Sequence, residues 1–488
     1  MATPNPKVRV RMYRQGLGDC FLYTFHTRDA PVHILIDCGT LGASATNVDL
    51  SQVVADIAAV TGNRLDVLIA THEHKDHVSG FGSQREAFQN MAIAHSWAAW
   101  TEDPNDSLGK DVKRFQDDLE SSLALADRAL GAAGARLGAE FATLGSGIRE
   151  LLGFRGEVPR EGEPFAATFA KTVDEAMRYA TRRGKEVEYF SPGTVIERDW
   201  LPGVRIYVLG PPRSKQALSQ LGEHGSPELY EVSARMGDAV RDSLRFATSG
   251  KTLSEYREGL AAEARDHLDT TLPFDPCYRI EQKMVDARAP AFAAYFADDQ
   301  EWRRIDHEWM RVTEELALQL DSATNNTSLA LAFELVEDGR VLLHPADAQL
   351  GNWVSWQDVT FTLADQSGKT TTVVAEDLLK RTVFYKVGHH ASHNATLKEH
   401  GLEAMERADL VALIPVDGEV AQRKKWTMPA PTLYKRLIEK THGRVLRSDT
   451  TWPEASDLPD SVTIDTVNKE RNNPNIVVND LYIDYLVR

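Results

Sequence analysis

Six consecutive residues, His72, Glu73, His74, Lys75, Asp76 and His77, bring together three imidazoles and two carboxylates. Neutral imidazole and carboxylate are the donors that borderline divalent ions such as zinc or manganese select. Residues 65–71 ahead of the run are apolar and β-branched, which reads as a buried strand running out into a polar loop. In an extended segment the two-residue spacing of His72 and His74 projects both rings the same way. Asp76 and His77 follow about one turn later, where they can address a second ion. The run is not a zincin helix, because the fifth position after His72-Glu73 is Asp76, and the preceding strand leaves no helix for two histidines on one face. Three of the chain's 15 histidines in six residues weigh against a merely solvated loop.

Companions to this run recur at the ends of other apolar segments. Gly16-Leu17-Gly18-Asp19-Cys20 is a glycine turn after a first strand, and Ile36-Asp37-Cys38-Gly39 ends a hairpin. Residues 325–348 read as two strands about a Glu337-Asp338-Gly339 turn, ending His344-Pro345-Ala346-Asp347. Residues 383–393 end an apolar strand with Lys386, His389, His390 and His393. These motifs, in this order, resemble the HxHxDH signature of the metallo-β-lactamase fold superfamily and its companions, and the Lys-Val-x-His-His segment resembles the ComEC-like branch. The resemblance covers about 7–103, 203–213 and 322–450. It implies an α+β fold, the αββα four-layer sandwich, and a dinuclear hydrolase. Ala346 stands where the family usually has glycine, which reduces backbone freedom there. The family's further histidine after the signature has only His95 as a counterpart, which reads more readily as a packed residue than as a ligand.

The ligand set so implied is His72, His74, Asp76, His77, Asp347 and one of His389 or His390. Asp347 is expected to bridge two ions, since a carboxylate offers two oxygens. Neighbours on a strand end point opposite ways, so only one of His389 and His390 reaches an ion; spacing does not decide which, and His390 is slightly favoured. Bound ions acidify water, so hydroxide at the centre is the expected nucleophile, with Asp76 aiming it. Asp37 fits the partner that fixes a ligand imidazole. Lys386 and His393 lie near enough in sequence to steady a leaving group or phosphoryl oxygens. Trp353 and Trp356 read either as a pocket wall for stacking or as packing residues.

A formal net charge of −17 argues against a processive nuclease, which would show a basic surface. It does not exclude phosphodiester chemistry, because two divalent ions dominate the field inside a cleft. Basic runs are few: Arg182-Arg183-Gly184-Lys185, and Arg423-Lys424-Lys425-Trp426, which sets an aromatic beside three cations. No stretch of about 18 apolar residues predicts a membrane span, and no apolar leader follows Met1. Three cysteines suit a reducing, cytoplasmic setting without a disulfide framework.

Along the chain, 7–103 and 321–488 read as two parts of one hydrolase core. Between them, 104–320 is read as a mostly helical insertion or cap, with a core strand near 203–213. Helical spacing is expected over 49–60, 110–128, 166–181, 228–246, 252–267 and 300–320. Gly131 to Ala135 read as a turn, and the tail from 477 to 487 as an added strand. Three function classes remain open: a phosphodiesterase or nuclease acting on nucleotide or nucleic acid, a lactone, ester or amide hydrolase, or a partner-gated binding module with structural metal. The insertion offers a surface for a protein partner or self-association.

Overall fold

A computed structural model describes residues 7–42, 45–137, 149, 152–155, 171–219, 284, 318–364, 368–424 and 426–488. The strands are, in chain order, β1 (Val8–Tyr13), β2 (Phe21–His26), β3 (Pro31–Ile36), β4 (Arg64–Ile69), β5 (Ala92–Ala99), β6 (Glu186–Phe190), β7 (Val195–Ile196) and β8 (Val204–Val208). They continue with β9 (Leu331–Leu335), β10 (Arg340–His344), β11 (Thr360–Ala364), β12 (Thr370–Val374), β13 (Thr382–Lys386), β14 (Val411–Ile414), β15 (Val445–Arg447), β16 (Ile476–Val478) and β17 (Tyr482–Val487). One sheet runs β16-β17-β1-β2-β3-β4-β5-β6, a second runs β15-β14-β13-β10-β9-β8-β7, and β11-β12 is a separate hairpin.

The two large sheets pack face to face because their strands are apolar on the shared side. Ile34, Ile36, Val67 and Ile69 of the first sheet join Phe333, Leu342, Phe384 and Leu413 of the second in one buried core. Tyr23 bridges them, 5.2 Å from Phe333 and 6.2 Å from Phe384 between ring centres. The intervening residues Leu35 and Leu68 face the other way, as the pleat requires. They meet α1 (Leu50–Thr61) through Val53 and Ile57, α2 (Lys75–Ser83) through Val78 and Phe81, and α4 (Lys171–Thr181) through Val173 and Met177. On the second sheet's side, Tyr434, Leu437 and Ile438 of α6 (Pro431–Lys440) join the inter-sheet core cluster. The result is the αββα arrangement.

Local signals account for the elements. Asp49 caps α1, accepting from the backbone of Ser51 and Gln52 while Gln52 reaches back, and Gly62 ends it with φ 64°. Helix α3 (Ser107–Leu137) runs through Gly131 and Gly134, so the turn expected there is absent; neighbouring alanines and leucines sustain the helix. The core strand expected near 203–213 is β8, which pairs with β7 on one side and with β9 on the other in the second sheet. The tail is strand β17, flanked by β1 and β16.

The chain forms two compact units. The first comprises 1–113, 153–223 and 322–488; the second comprises 114–152 and 224–321. Of the second unit the described residues include the remainder of α3. The helices expected over 228–246 and 252–267 and most of 300–320 lie outside the described residues, which within the expected insertion of 104–320 are 104–137, 149, 152–155, 171–219, 284 and 318–320. No helix among the described residues is long and apolar enough to cross a membrane.

Candidate metal centre

Strands β3, β4, β5 and β6 are parallel to one another, as are β10, β13, β14 and β15. Their carboxyl ends carry Asp37 after β3, the histidine run after β4, Asp347 after β10 and His390 after β13. A crevice at the carboxyl ends of such strands is where open α/β sheets hold ligands.

Backbone contacts gather these loops. Asp19 N donates to Asp76 O at 2.9 Å, Cys38 N to His77 O at 2.8 Å, and Gly39 N to Asp19 O at 2.9 Å. The approach is so close that a Cβ on Gly39 would lie 2.3 Å from the Asp76 carbonyl carbon, so only glycine fits. His74 caps α2, which places Asp76 in that helix's first turn, where the helix dipole favours a carboxylate.

Asp37 anchors the imidazoles. Its Oδ1 accepts from Thr71 N at 2.8 Å, and its Oδ2 accepts from Thr71 Oγ1 at 2.6 Å and His77 Nδ1 at 2.8 Å. Thr71 Oγ1, its proton given to Asp37, is 3.1 Å from His72 Nδ1 and accepts from it. One carboxylate thereby directs two rings, leaving Nε2 of each as the outward donor. Nε2 of His72 and of His74 and Oδ1 of Asp76 are buried without a hydrogen-bond partner among the described residues. Burial, with the charge of neighbouring rings, pushes His72 well below the ordinary imidazole value, and burial pushes His74 down to about 3. Both therefore present free lone pairs.

His390 is the member of the His-His pair that enters the cluster. Its Nδ1 donates to Pro415 O at 2.7 Å, while Nε2 lies 2.7 Å from Asp76 Oδ2 and 3.4 Å from Asp347 Oδ2. With Nδ1 tied to a carbonyl, Nε2 either carries a second proton or offers its lone pair to a cation. His389 turns aside to Ser392 Oγ at 2.7 Å and Gln349 Nε2 at 3.1 Å. The strand-alternation reasoning does not apply here, because β13 ends at Lys386 and His389, His390 and Ala391 have φ of 41°, 50° and 62°. Ala346, too, holds φ 53°, the conformation that glycine supplies in the family pattern.

Asp19, His77, Asp347 and His390 each offer one ligand atom within 4.8 Å of the others, all buried. Burial opposes charge on His77 and His390, yet the surrounding carboxylates, Asp347 foremost, raise both above the ordinary value. Lys386 donates from Nζ to Ala346 O at 2.7 Å and Asp347 Oδ1 at 2.8 Å, and is 2.6 Å from Asp19 Oδ2. Lys386 is fully buried and so engaged; its place is behind Asp347, holding that carboxylate in position. Burial works against the Asp347 charge, but Lys386 and His77 overcome it and hold its carboxyl well below the usual range. Asp19 was not marked from sequence as a site residue; a lone Asp after a glycine turn carries no ligand pattern.

The structure leaves other candidates outside the cluster. His393 is exposed, so it does not join the buried group. His95 is half-buried, stacked on Trp200 at 5.2 Å beside Glu186 and Glu188. Glu73 turns from the ligands to pair with Lys113 and Arg155. Trp353 and Trp356 are fully buried and pack on each other at 4.0 Å, so neither lines a pocket. Arg182 and Arg183 precede β6 at its amino end, the opposite end of the strands from the ligands.

The donors fit divalent cations. Asp19, Asp37, Asp76 and Asp347 are four buried carboxylates, and the His72 ring lies 4.8 Å from that of His74 and 4.1 Å from that of His77 between centres. No curated protein matches the chain. Residues 16–174, which contain Asp19, Asp37 and the whole histidine run, match the family model of the metallo-beta-lactamase superfamily, and the two facing sheets with their outer helices have that superfamily's α+β fold.

Proposed function

We propose that this protein is a metal-dependent hydrolase of phosphodiesters, acting on a nucleotide or nucleic acid strand. The observation that carries the reading is the buried cluster of Asp19, His77, Asp347 and His390 at the strand ends, with the unpartnered nitrogens of His72 and His74 on the adjoining loop. His72, His74 and His77 would hold one ion, and Asp76 and His390 a second, with Asp347 between them; zinc or manganese suits this nitrogen and oxygen set. Such ions, when bound, supply Lewis acidity and lower the pKa of water.

The chain's own residues do the rest. Asp37 fixes His77 directly and His72 through Thr71. Lys386 keeps Asp347 charged and oriented. Asp76, in contact with His390 Nε2 at 2.7 Å, is placed to accept a proton hydrogen-bonded to it at the centre of the cluster. The buried strand ends exclude bulk water from these contacts.

A substrate panel tests the reading. Full-length protein reconstituted with zinc or manganese is assayed on bis-p-nitrophenyl phosphate, single- and double-stranded DNA, RNA and a chromogenic lactone, with metal content measured in parallel. About two ions per chain and turnover of the phosphodiesters are expected. Turnover of the lactone alone would replace this reading with a carbon-ester hydrolase, and only trace metal would overturn both.

A further inference from the structure

Trp353 and Trp356, read from sequence either as a stacking wall or as packing residues, are core residues, yet an aromatic surface does adjoin the ligands. Phe154 lies 5.4 Å from the His74 imidazole, and Trp426 stacks on Phe154 at 4.9 Å with an interplanar angle of 18°. Phe154 is buried, whereas Trp426 is half-buried and keeps accessible surface. The Lys424 ammonium sits over the Trp426 ring, 5.0 Å from its centre.

Both rings are tied to the loops that carry the ligands. Phe154 O accepts from Lys75 N at 2.7 Å, at the start of α2, and the adjoining Arg155 donates to Glu73 O at 3.2 Å. Trp426 N donates to Ala421 O at 2.9 Å, at the end of helix α5 (Gly418–Arg423). The same segment is fastened by Ala430 N to Ala391 O at 2.8 Å, next to His390. The pair thus spans from the His72–His77 loop to the His390 turn, a wall whose inner end touches a ligand and whose outer end is wet. In a chain of net charge −17, a ring with an ammonium over it at this place is chemically selective. A flat π-system can take the place of the flexible Lys424 ammonium on the indole face opposite Phe154, and the displaced lysine is then free to pair with phosphate.

We infer that Trp426, backed by Phe154 and flanked by Lys424, is the stacking surface for the base of a nucleotide whose phosphate addresses the metal centre. This rests on the phosphodiester reading and names its substrate class: esters that carry a nucleobase. The wall selects them through one stacked ring, without reading sequence.

Isothermal titration of zinc-loaded, full-length protein with adenosine 5′-monophosphate and with ribose 5-phosphate tests it. The wild type should bind the adenosine compound more tightly. Trp426→Ala should weaken that binding by roughly 10-fold or more, the scale of one base–aromatic stack, and leave ribose 5-phosphate unchanged. Trp426→Phe, which keeps a ring, should retain most of the affinity, with metal content equal in all three proteins. Equal affinity of the wild type for the two ligands, no binding of either, or equal weakening of both by Trp426→Ala would overturn the inference. Base-dependent binding by a protein that cleaves no phosphodiester would uphold the stacking surface and remove the hydrolytic reading instead.

Discussion

The two sides of the metal centre are built on opposite principles. On the side of His72 and His74, the rings are neutral and left with unpartnered nitrogens, and His72 is aimed from behind by Thr71. On the side of His390 and Asp347, every group is already paired: His390 with Asp76 and Pro415, Asp347 with Lys386 and the His389 amide. His77 belongs to both, since Asp37 aims it and Asp347 Oδ2 lies 3.1 Å from its Nε2. The first side is a lone-pair site whose geometry stands on its supporting hydrogen bonds. The second is a charge lattice that holds itself together and that an arriving cation would rearrange.

The largest expected effect breaks the junction. Asp347→Asn removes the carboxylate shared between the sides and should lower hydrolysis by more than the roughly 10–100-fold that follows loss of a hydrogen-bond partner behind a ligand. Melting temperature should fall as well, because Lys386 loses one of its two buried carboxylate partners. An active, metal-replete Asp347→Asn protein would undo the site assignment. Lys386→Met attacks the charge lattice alone, leaving Asp19 and Asp347 buried without their cation. The metal-free protein should lose about 3–5 kcal/mol in urea denaturation. A cost near zero would mean that the lattice is not what orders that side.

Asp37→Asn attacks the lone-pair side, because an amide cannot accept from His77 and Thr71 at once with both oxygens. Metal affinity should fall roughly 10–100-fold, read by competition with a chromogenic chelator, while stability without metal changes less than in Lys386→Met. The smallest effect is a contrast in pH slopes. His74 is pushed down to about 3, so the native state binds fewer protons than the unfolded chain from about 6.5 to 3, and stability is lost as pH falls through that window. His77 is raised, so its contribution is fully present below 6.5 and is lost as pH climbs through the folded value. Denaturation of metal-free variants should therefore show His74→Gln costing more at pH 7.5 than at pH 4.5, and His77→Gln costing more at pH 5 than at pH 9. Slopes of the same sign would erase the distinction between the sides.

The histidine run and the strand that delivers it were legible in sequence because apolar periodicity and donor spacing are local properties, and Asp37 through the resemblance of its strand end to the superfamily's motif. Asp347 was legible through the resemblance of its hairpin end to the same family's pattern. The choice of His390 was not, since it depends on left-handed backbone at three successive non-glycine residues, which no strand pattern announces. Nor was the burial of Lys386 or the partnership of Asp19 with it, because a counter-ion pair separated by most of the chain leaves no spacing to read. Trp426 was marked for its neighbouring cations, but its stack on Phe154 joins segments that sequence kept apart.

Strand β1 is paired on one side with β2 and on the other with β17, so Val8 lies opposite Val487. During synthesis β1 therefore waits as an open edge, its outer hydrogen-bonding groups unmatched, until β17 has been made. A sheet closed by so distant a partner folds slowly, since the entropy of a very long loop opposes the pairing. The sheet that carries Asp37 and the histidine run is thus complete only once β17 has docked on β1.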